Sequence, residues 1–126
     1  MRSSRVLPVL LAVLTGCSGS SRPASEASYD AEKARGALVA ALDAWKKGEA
    51  KSLAKRVPPI RFVDDDLLAG LRLSDYEIDE PDLPVKLHQD VSVRLSLRDA
   101  QGRSIQREAR YQVGTDPTLS VLRSDR

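Results

Sequence analysis

The second half of the chain alternates between apolar and polar side chains, as β-strands do when one face is buried and the other is solvated. The odd positions hold the apolar residues Val85, Leu87, Val91, Val93, Leu95 and Leu97. The even positions between them are polar or charged, so the pattern predicts one strand over residues 85–97. Asp99–Gly102 then predicts a reversal, Ile105–Val113 a returning strand, and Leu119–Leu122 a closing strand.

A helical pattern precedes the strands. Apolar side chains recur at the spacings that are typical of one face of an amphipathic helix, at Ala34, Leu38, Ala41, Leu42 and Trp45. Ser28 and Asp30 are candidate N-caps, because their side-chain oxygens can accept hydrogen bonds from the free N–H groups of a first turn. Lys46-Lys47-Gly48 indicates the end of the helix, since cations complement the helix dipole there and glycine adopts positive φ.

The segment between the helix and the strands combines short elements. Glu49–Arg56 predicts a second, shorter helical stretch with Leu53 and Ala54 as its apolar contacts. Ile60–Val63 is either a short strand or an extended plug. Asp64-Asp65-Asp66, followed by two leucines, suits the capped start of a single helical turn.

The apolar positions of residues 71–78 change from odd to even, and a bulge near Ser74-Asp75 would place all of them on one face of a strand. A meander with one apolar face needs a cover, which the helix ending at Trp45 can provide. The sequence therefore predicts a single α+β domain over residues 29–124. Its N-terminal helix packs on a curved antiparallel sheet of about four strands.

The first residues of the chain have the parts of an export signal. Arg2 and Arg5 supply positive charge, and Val6–Leu14 is an apolar run of nine residues, too short to cross a bilayer about 30 Å thick. Leu14-Thr15-Gly16-Cys17 resembles the bacterial lipobox, in which an apolar residue and two small residues precede a cysteine that receives a diacylglycerol thioether. The resemblance implies a lipoprotein precursor with a signal peptide over residues 1–16 and a lipid on Cys17.

Residues 17–28 are small and polar, which predicts a flexible tether between the lipid and the domain. Cys17 is the only cysteine, so no intramolecular disulfide can form, and the alternative to acylation is a free cysteine just past an ordinary signal peptide. The lipobox resemblance implies that the membrane is a partner, through the lipid on Cys17. Ser18 follows the cysteine, and by resemblance to the enterobacterial sorting rule this implies an outer-membrane location facing the periplasm.

The overall charge gives no support for nucleic-acid binding. The chain has 20 basic and 18 acidic residues, but Arg2 and Arg5 belong to the predicted signal peptide, which contains no acid. The remaining chain has 18 of each, without the basic excess that nucleic-acid binding requires. We therefore expect no nucleic-acid partner.

The order of the predicted elements resembles the nuclear transport factor 2-like (SnoaL-like) cone fold. The residues that carry the resemblance are Ala41–Gly48, where a helix reaches a tryptophan and a glycine-bounded turn, the hairpin Val91–Leu97 with Ile105–Val113, and the closing strand Leu119–Leu122. It covers residues 30–124 and implies a fold rather than an activity, because the superfamily contains isomerases, dehydratases and non-catalytic binding or assembly domains. Catalytic members carry an Asp–His pair inside the cone, and this chain has no matching pair.

Two acidic runs are candidate cation sites, because calcium favours clustered carboxylates. They are Asp64-Asp65-Asp66 and Asp79–Asp82. Consecutive side chains diverge on a regular element, and no spacing like that of an EF-hand follows the first run. We therefore interpret the first run as helix caps and solvated charge and the second as a loop, and we expect neither a metal nor a cofactor.

His88 is the only histidine, so an imidazole general base would have to be this residue. Its even position places it on the polar face of the predicted strand, as a solvated side chain. If that face lined the inside of a cone instead, His88, Asp90 and Arg94 would share it. We interpret Trp45 and Tyr111 as core residues.

Arginines recur along the predicted hairpin, at Arg94, Arg98, Arg107 and Arg110. Asp90 and Glu108 lie among them, so we interpret the stripe as cross-strand ion pairs on a solvated face, each contributing under about 1 kcal/mol. A long hairpin with polar outward side chains is also a candidate surface for a partner.

The preferred hypothesis is a non-catalytic, lipid-anchored domain that binds or scaffolds an envelope protein or a small ligand, with no predicted catalytic set. The alternative is a small cone-fold hydrolase or isomerase that uses a pocket with His88 or a carboxylate. Homodimerisation through the open face of the sheet is a third hypothesis, because many cone-fold domains use that face.

Overall fold

The computed structural model describes residues 30–82 and 84–125. The predicted signal peptide, the predicted tether and the proposed lipid attachment site at Cys17 lie outside the described residues. The elements, in chain order, are helix α1 (Ala31–Lys46), a 3-10 helix (Ala50–Lys55), strand β1 (Ile60–Val63), helix α2 (Asp65–Leu68) and strands β2 (Arg72–Ile78), β3 (Val91–Arg98), β4 (Ser104–Gly114) and β5 (Leu119–Arg123).

The strands form one curved sheet in the order β1-β5-β4-β3-β2, and α1 packs against one face of it. The α+β prediction is confirmed. The sheet has five strands, close to the expected number of about four, and it is mixed rather than antiparallel, because β1 pairs in parallel with β5. Ile60–Val63 is thus a strand and not a plug, and its residue Ile60 lies opposite Leu119.

Helix α1 begins and ends where its sequence signals lie. The Asp30 carboxylate accepts hydrogen bonds from the backbone N–H groups of Glu32 and Lys33 at 3.0 and 3.1 Å, which confirms Asp30 as the N-cap. After the last helical residue, Gly48 has a φ of +76°. The whole predicted stripe is buried, namely Ala34, Leu38, Ala41, Leu42 and Trp45.

Strand β2 contains the predicted bulge. Its register against β3 shifts between Leu73 and Asp75, which leaves an extra residue in β2. Leu73 is buried and Tyr76 is half-buried, so the bulge returns both apolar segments to the side that faces α1. Gly102 has a φ of +80° in the turn between β3 and β4, which confirms the predicted reversal.

The chain before β3 differs from its prediction. The strand begins at Val91 and not at Val85. Lys86–Gln89 forms a turn instead, in which the Gln89 N–H donates to the Lys86 carbonyl at 3.2 Å. A strand needs a neighbour to satisfy its backbone groups, and β2 ends at Ile78, opposite Val93. Val85 is nevertheless buried, because its side chain enters the core from the loop.

The two short helices follow their predictions in part. Asp64 caps α2, which confirms the single helical turn. The stretch after α1 is a 3-10 helix in which Leu53 is buried, as expected, but Ala54 is exposed. A 3-10 helix has about three residues per turn, so consecutive side chains point in widely different directions and Ala54 leaves the face of Leu53.

The core lies between α1 and the facing side of the sheet. Strands β3 and β4 contribute alternate residues to it, namely Val93, Leu95, Leu97, Ala109, Tyr111 and Val113. Trp45, Phe62 and Tyr111 form a row of aromatic contacts with centroid separations of 6.0 and 6.2 Å. This row connects α1, β1 and β4 and adds specific ring contacts to the burial of apolar area.

Leu38→Ala should destabilise the fold strongly. Leu38 is completely buried, so truncation leaves a cavity, and we expect the free energy of unfolding to fall by about 2–5 kcal/mol. Leu68→Ala is the matched control, because Leu68 is 75 % exposed; it should change that free energy by less than about 0.5 kcal/mol. Urea denaturation measures both, and equal losses would contradict the packing of α1 on the sheet.

Candidate functional site

A cluster of charged and polar side chains is enclosed where α2 meets β4 and β5. The buried network, as we call it, consists of Asp64, Asp66, Tyr111, Arg123 and Asp125. Asp64 is completely buried. Its Oδ1 accepts hydrogen bonds from the backbone N–H groups of Asp66 and Leu67 at 2.7 and 3.1 Å. Its Oδ2 accepts a short hydrogen bond from the Tyr111 hydroxyl, so the cap of α2 is also bound to β4.

Arg123 supplies positive charge to the buried network, and its side chain is only 6 % exposed. Its Nη1 lies 3.1 Å from Asp64 Oδ1 and 2.9 Å from Asp66 Oδ2. Its Nε lies 2.5 Å from Asp125 Oδ1. The guanidinium carbon also lies 5.9 Å from the centre of the Tyr111 ring, within the range of a cation–π contact.

Burial and hydrogen bonding shift the protonation equilibria of the network. Burial, together with the nearby carboxylate, raises the pKa of Tyr111 far above its usual range. Burial alone would lower the pKa of Arg123, but hydrogen bonds to two carboxylates raise it. Burial opposes the ionisation of Asp125, yet hydrogen bonds from Arg123 and from the Arg110 N–H hold its pKa below the usual value. At neutral pH the phenol is therefore neutral, and the Arg123–Asp125 pair is charged.

The first acidic run, Asp64-Asp65-Asp66, is a helix cap as predicted, but two of its three members are not solvated. The Asp66 side chain is 13 % exposed and lies within 3.1 Å of Arg107 as well as binding Arg123. Only Asp65 is exposed. Across residues 30–82 and 84–125, no group of three or more His, Cys, Asp or Glu side chains is arranged to hold a metal ion. The groups of the buried network thus bind one another and connect α2, β4 and β5.

The structure does not bring His88, Asp90 and Arg94 together. His88 is exposed in the turn before β3, where its φ is +63°. Asp90 accepts hydrogen bonds from Gln112 and Ser124 at 3.1 and 2.9 Å. Each of the three side chains therefore has surroundings of its own.

Two of the four hairpin arginines, Arg94 and Arg107, form ion pairs, but with other partners than Asp90 and Glu108. Arg94 lies 2.8 Å from Glu77, its cross-strand neighbour on β2. Arg107 lies 3.1 Å from Asp66. Both arginine side chains are about half exposed, so each pair contributes under about 1 kcal/mol.

A polar contact joins α1 to β2. The Tyr76 hydroxyl donates a hydrogen bond to Asp43 Oδ1 at 2.7 Å. Burial, followed by this hydrogen bond, raises the pKa of Tyr76 to about 12. The contact therefore requires a protonated phenol.

An open groove of about 650 Å³ lies between the end of α1, the loop after α2 and the start of β2. We call it the basic groove. Its cations are Lys46, Lys47, Lys51, Arg72 and Arg98. Its apolar side chains are Trp45, Ala50, Leu67, Leu71 and Leu73. Among the described residues that line it there is no carboxylate, histidine or cysteine.

Two contacts hold the sides of the basic groove in place. Trp45 Nε1 donates a hydrogen bond to the Leu71 carbonyl at 3.0 Å, which connects α1 to the loop after α2. Lys46 Nζ lies 3.3 Å from Asp75 Oδ1, which connects the end of α1 to the bulge of β2. The groove is thus formed by the fold itself.

The basic groove is not evident from the sequence pattern. Lys46 and Lys47 resemble ordinary helix-end cations, and the balanced overall charge conceals a local cluster. Arg72 and Arg98 become neighbours only through the register of β2 and β3. The available signal is the run of lysines at 46, 47 and 51, interrupted by a single acid, Glu49.

The chain matches no protein-family model, and neither the curated proteins nor the solved structures give a match. The resemblances to lipobox-containing lipoproteins and to the cone fold therefore stay predictions. In the described part of the chain, no helix has the length and apolar character needed to pass through a membrane.

Arg123→Met should remove the main stabilising charge of the buried network. The substitution leaves buried carboxylates without their cation, which costs about 3–5 kcal/mol of unfolding free energy. Arg61→Met is the control, because Arg61 is exposed on β1 and its loss should cost less than about 0.5 kcal/mol. Guanidinium denaturation compares the two. A loss at Arg123 as small as that at Arg61 would show that the network does not stabilise the fold.

Stability should also decline above the ordinary pKa of tyrosine. In the unfolded chain Tyr76 ionises near a pKa of about 10, whereas the folded protein keeps it protonated up to about 12. A pKa raised by folding contributes stability in full below the unfolded value, and the contribution is lost as pH rises toward the folded value. Urea midpoints should therefore fall as pH rises above about 10, and less steeply in Tyr76→Phe. An equal slope in the variant would contradict this assignment.

Proposed function

We propose that the chain is a lipid-anchored domain of the bacterial cell envelope that binds or scaffolds a partner without catalysing a reaction. The basic groove is its binding site. The anchoring part is supported by the order of a basic start, an apolar run and Leu14-Thr15-Gly16-Cys17. Held through Cys17, the domain faces the periplasm from the outer membrane.

The observation that carries the binding function is the composition of the basic groove. Cations and apolar side chains line it, and its described lining includes no carboxylate or histidine. Ligand sites typically combine an apolar wall with a few polar groups that orient the ligand. Acid–base catalysis near neutral pH usually employs a histidine or a carboxylate within reach of the substrate. The composition therefore suits binding better than catalysis.

The hydrolase or isomerase alternative has weaker support. It needs His88 or a carboxylate inside a pocket. His88 is exposed in a turn and does not line the basic groove. The buried carboxylates Asp64 and Asp66 are engaged by Arg123. We therefore favour the binding function.

Cys17→Ser tests the anchoring part of the proposal. Cells that express either form are labelled with radioactive palmitate and fractionated. Wild-type protein should carry the label and sediment with the outer membrane, because more than one acyl chain anchors a protein durably. The variant should carry no label and be absent from the outer membrane.

Two further variants sharpen the result. Ser21→Ala lies in the predicted tether and should retain both the label and the location. Ser18→Asp should retain the label but move the protein to the inner membrane, as the sorting rule implies. Label on Cys17→Ser, or none on the wild type, would contradict the anchoring proposal.

A further inference from the structure

The cations of the basic groove are only partly neutralised. Lys46 forms an ion pair with Asp75. Arg98 donates a hydrogen bond to the Gly102 carbonyl at 3.0 Å, and this neutral acceptor leaves the charge of Arg98 in place. The other cations of the groove have no ion pair within the described residues; they are Lys47, Lys51 and Arg72. Their side chains are exposed, so their combined field attracts an anion from solution.

Two cations of the basic groove, Arg72 and Arg98, lie opposite each other on adjacent strands. Arg72 of β2 is the direct cross-strand partner of Arg98 of β3. Like charges that lie directly opposite each other destabilise a sheet. Further along the same pair of strands, Glu77 lies opposite Arg94 and forms an ion pair at 2.8 Å. An anion bound between Arg72 and Arg98 would turn the unfavourable pair into a favourable one.

The apolar side chains that line the groove indicate the chemistry of the rest of the ligand. Leu67 and Leu71 provide a partly exposed apolar wall beside the cations, and the nearly buried side chains of Trp45 and Leu73 lie behind it. A volume of about 650 Å³ falls within the usual size of small-molecule sites, roughly 300–1,000 Å³, and is too small for a nucleic-acid duplex. The groove therefore suits a small molecule with a charged end and an apolar end.

We infer that the basic groove binds an amphipathic oxyanion. Its carboxylate or phosphate head contacts Arg72 and Arg98, because planar guanidinium groups match pairs of oxyanion oxygens. Its apolar body lies against Leu67 and Leu71, next to the exposed edge of Trp45. This inference names the ligand class of the site in the proposed function and rests on that function.

The inference places the ligand in the aqueous phase rather than in the anchoring membrane. The preceding chain joins the domain at Asp30, the N-cap of α1. The groove lies at the other end of this helix, around Trp45 and Lys46. A helix of 16 residues is about 24 Å long. The groove is therefore remote from the point at which the tether attaches.

Trp45 provides a direct measurement, because it is the only tryptophan in the chain and it lines the groove. The full chain carrying Cys17→Ser is titrated with decanoate below its micelle concentration, and with decanol as the uncharged match. We expect a saturable change in fluorescence with decanoate that weakens as salt is added. The affinity for decanol should be lower than that for decanoate by a factor of roughly ten or more. Absence of a saturable response to decanoate would overturn the inference.

Arg72→Gln tests the contact with the head group. Arg110→Gln is the matched control, because Arg110 is exposed on β4 and does not line the groove. Arg72→Gln should weaken decanoate binding roughly tenfold, whereas the control should leave it unchanged. Relief of the like-charge pair should leave the thermal midpoint unchanged or raised. A lowered midpoint with unchanged affinity would show that Arg72 has a structural role and would overturn the inference.

Phosphatidylglycerol vesicles distinguish a membrane lipid from a soluble molecule as the source of the anionic head group. If vesicles bind through Arg72 and decanoate does not bind, the ligand is a membrane headgroup and the soluble ligand is excluded. If decanoate binds and vesicles do not, the inference is supported. The titrations use unacylated protein, so a negative result here is distinct from a failure of palmitate labelling.

Discussion

The completion of the sheet depends on how the buried charge of Arg123 is neutralised. Removing a guanidinium and carboxylates from water costs several kcal/mol for each ion, and only saturated hydrogen bonding offsets that cost. The partners of Arg123 come from separate parts of the chain: Asp64 from the N-cap of α2, Asp66 from its first turn, Tyr111 from β4, and Asp125 from the residues after β5. The charge is satisfied only when all of these parts are in place together, so the network favours one arrangement of the strands.

The charged side chains of the described domain fall into two contrasting groups. In the buried network each charge is matched at hydrogen-bond distance, and Asp64 and Arg123 at its centre are almost completely shielded from solvent. In the basic groove the cations are exposed, and two of them oppose each other across a strand pair. The first group stabilises the fold by itself, whereas the second would become favourable if the proposed anion bound there.

Local rules predict much of the fold. The cap at Asp30, the helix end at Gly48 and the bulge near Ser74-Asp75 each depend on residues close in sequence, and each is confirmed. The parallel β1–β5 pair and the basic groove depend on contacts between distant segments, which local patterns do not specify. The buried network lies between these cases. Arg123 follows the buried Val121 by two positions on β5, so its side chain lies on the buried face of the sheet. Asp64 continues the alternation of Ile60 and Phe62 on β1 in the same way. The alternation indicates that these charges are buried but does not identify their partners.

The position of β5 in the sheet has a consequence for the order of folding. Strands β2, β3 and β4 pair as sequence neighbours, so their contacts close short loops. Within the described residues, strand β1 pairs only with β5, and Ile60 lies opposite Leu119. These two residues are roughly sixty positions apart, a separation of the kind that slows folding. During folding, the edge of β1 that pairs with β5 and the acidic run that follows β1 stay without these partners until β5 arrives. When β5 inserts between β1 and β4, it satisfies the backbone of both and delivers Arg123 to its carboxylates in the same step.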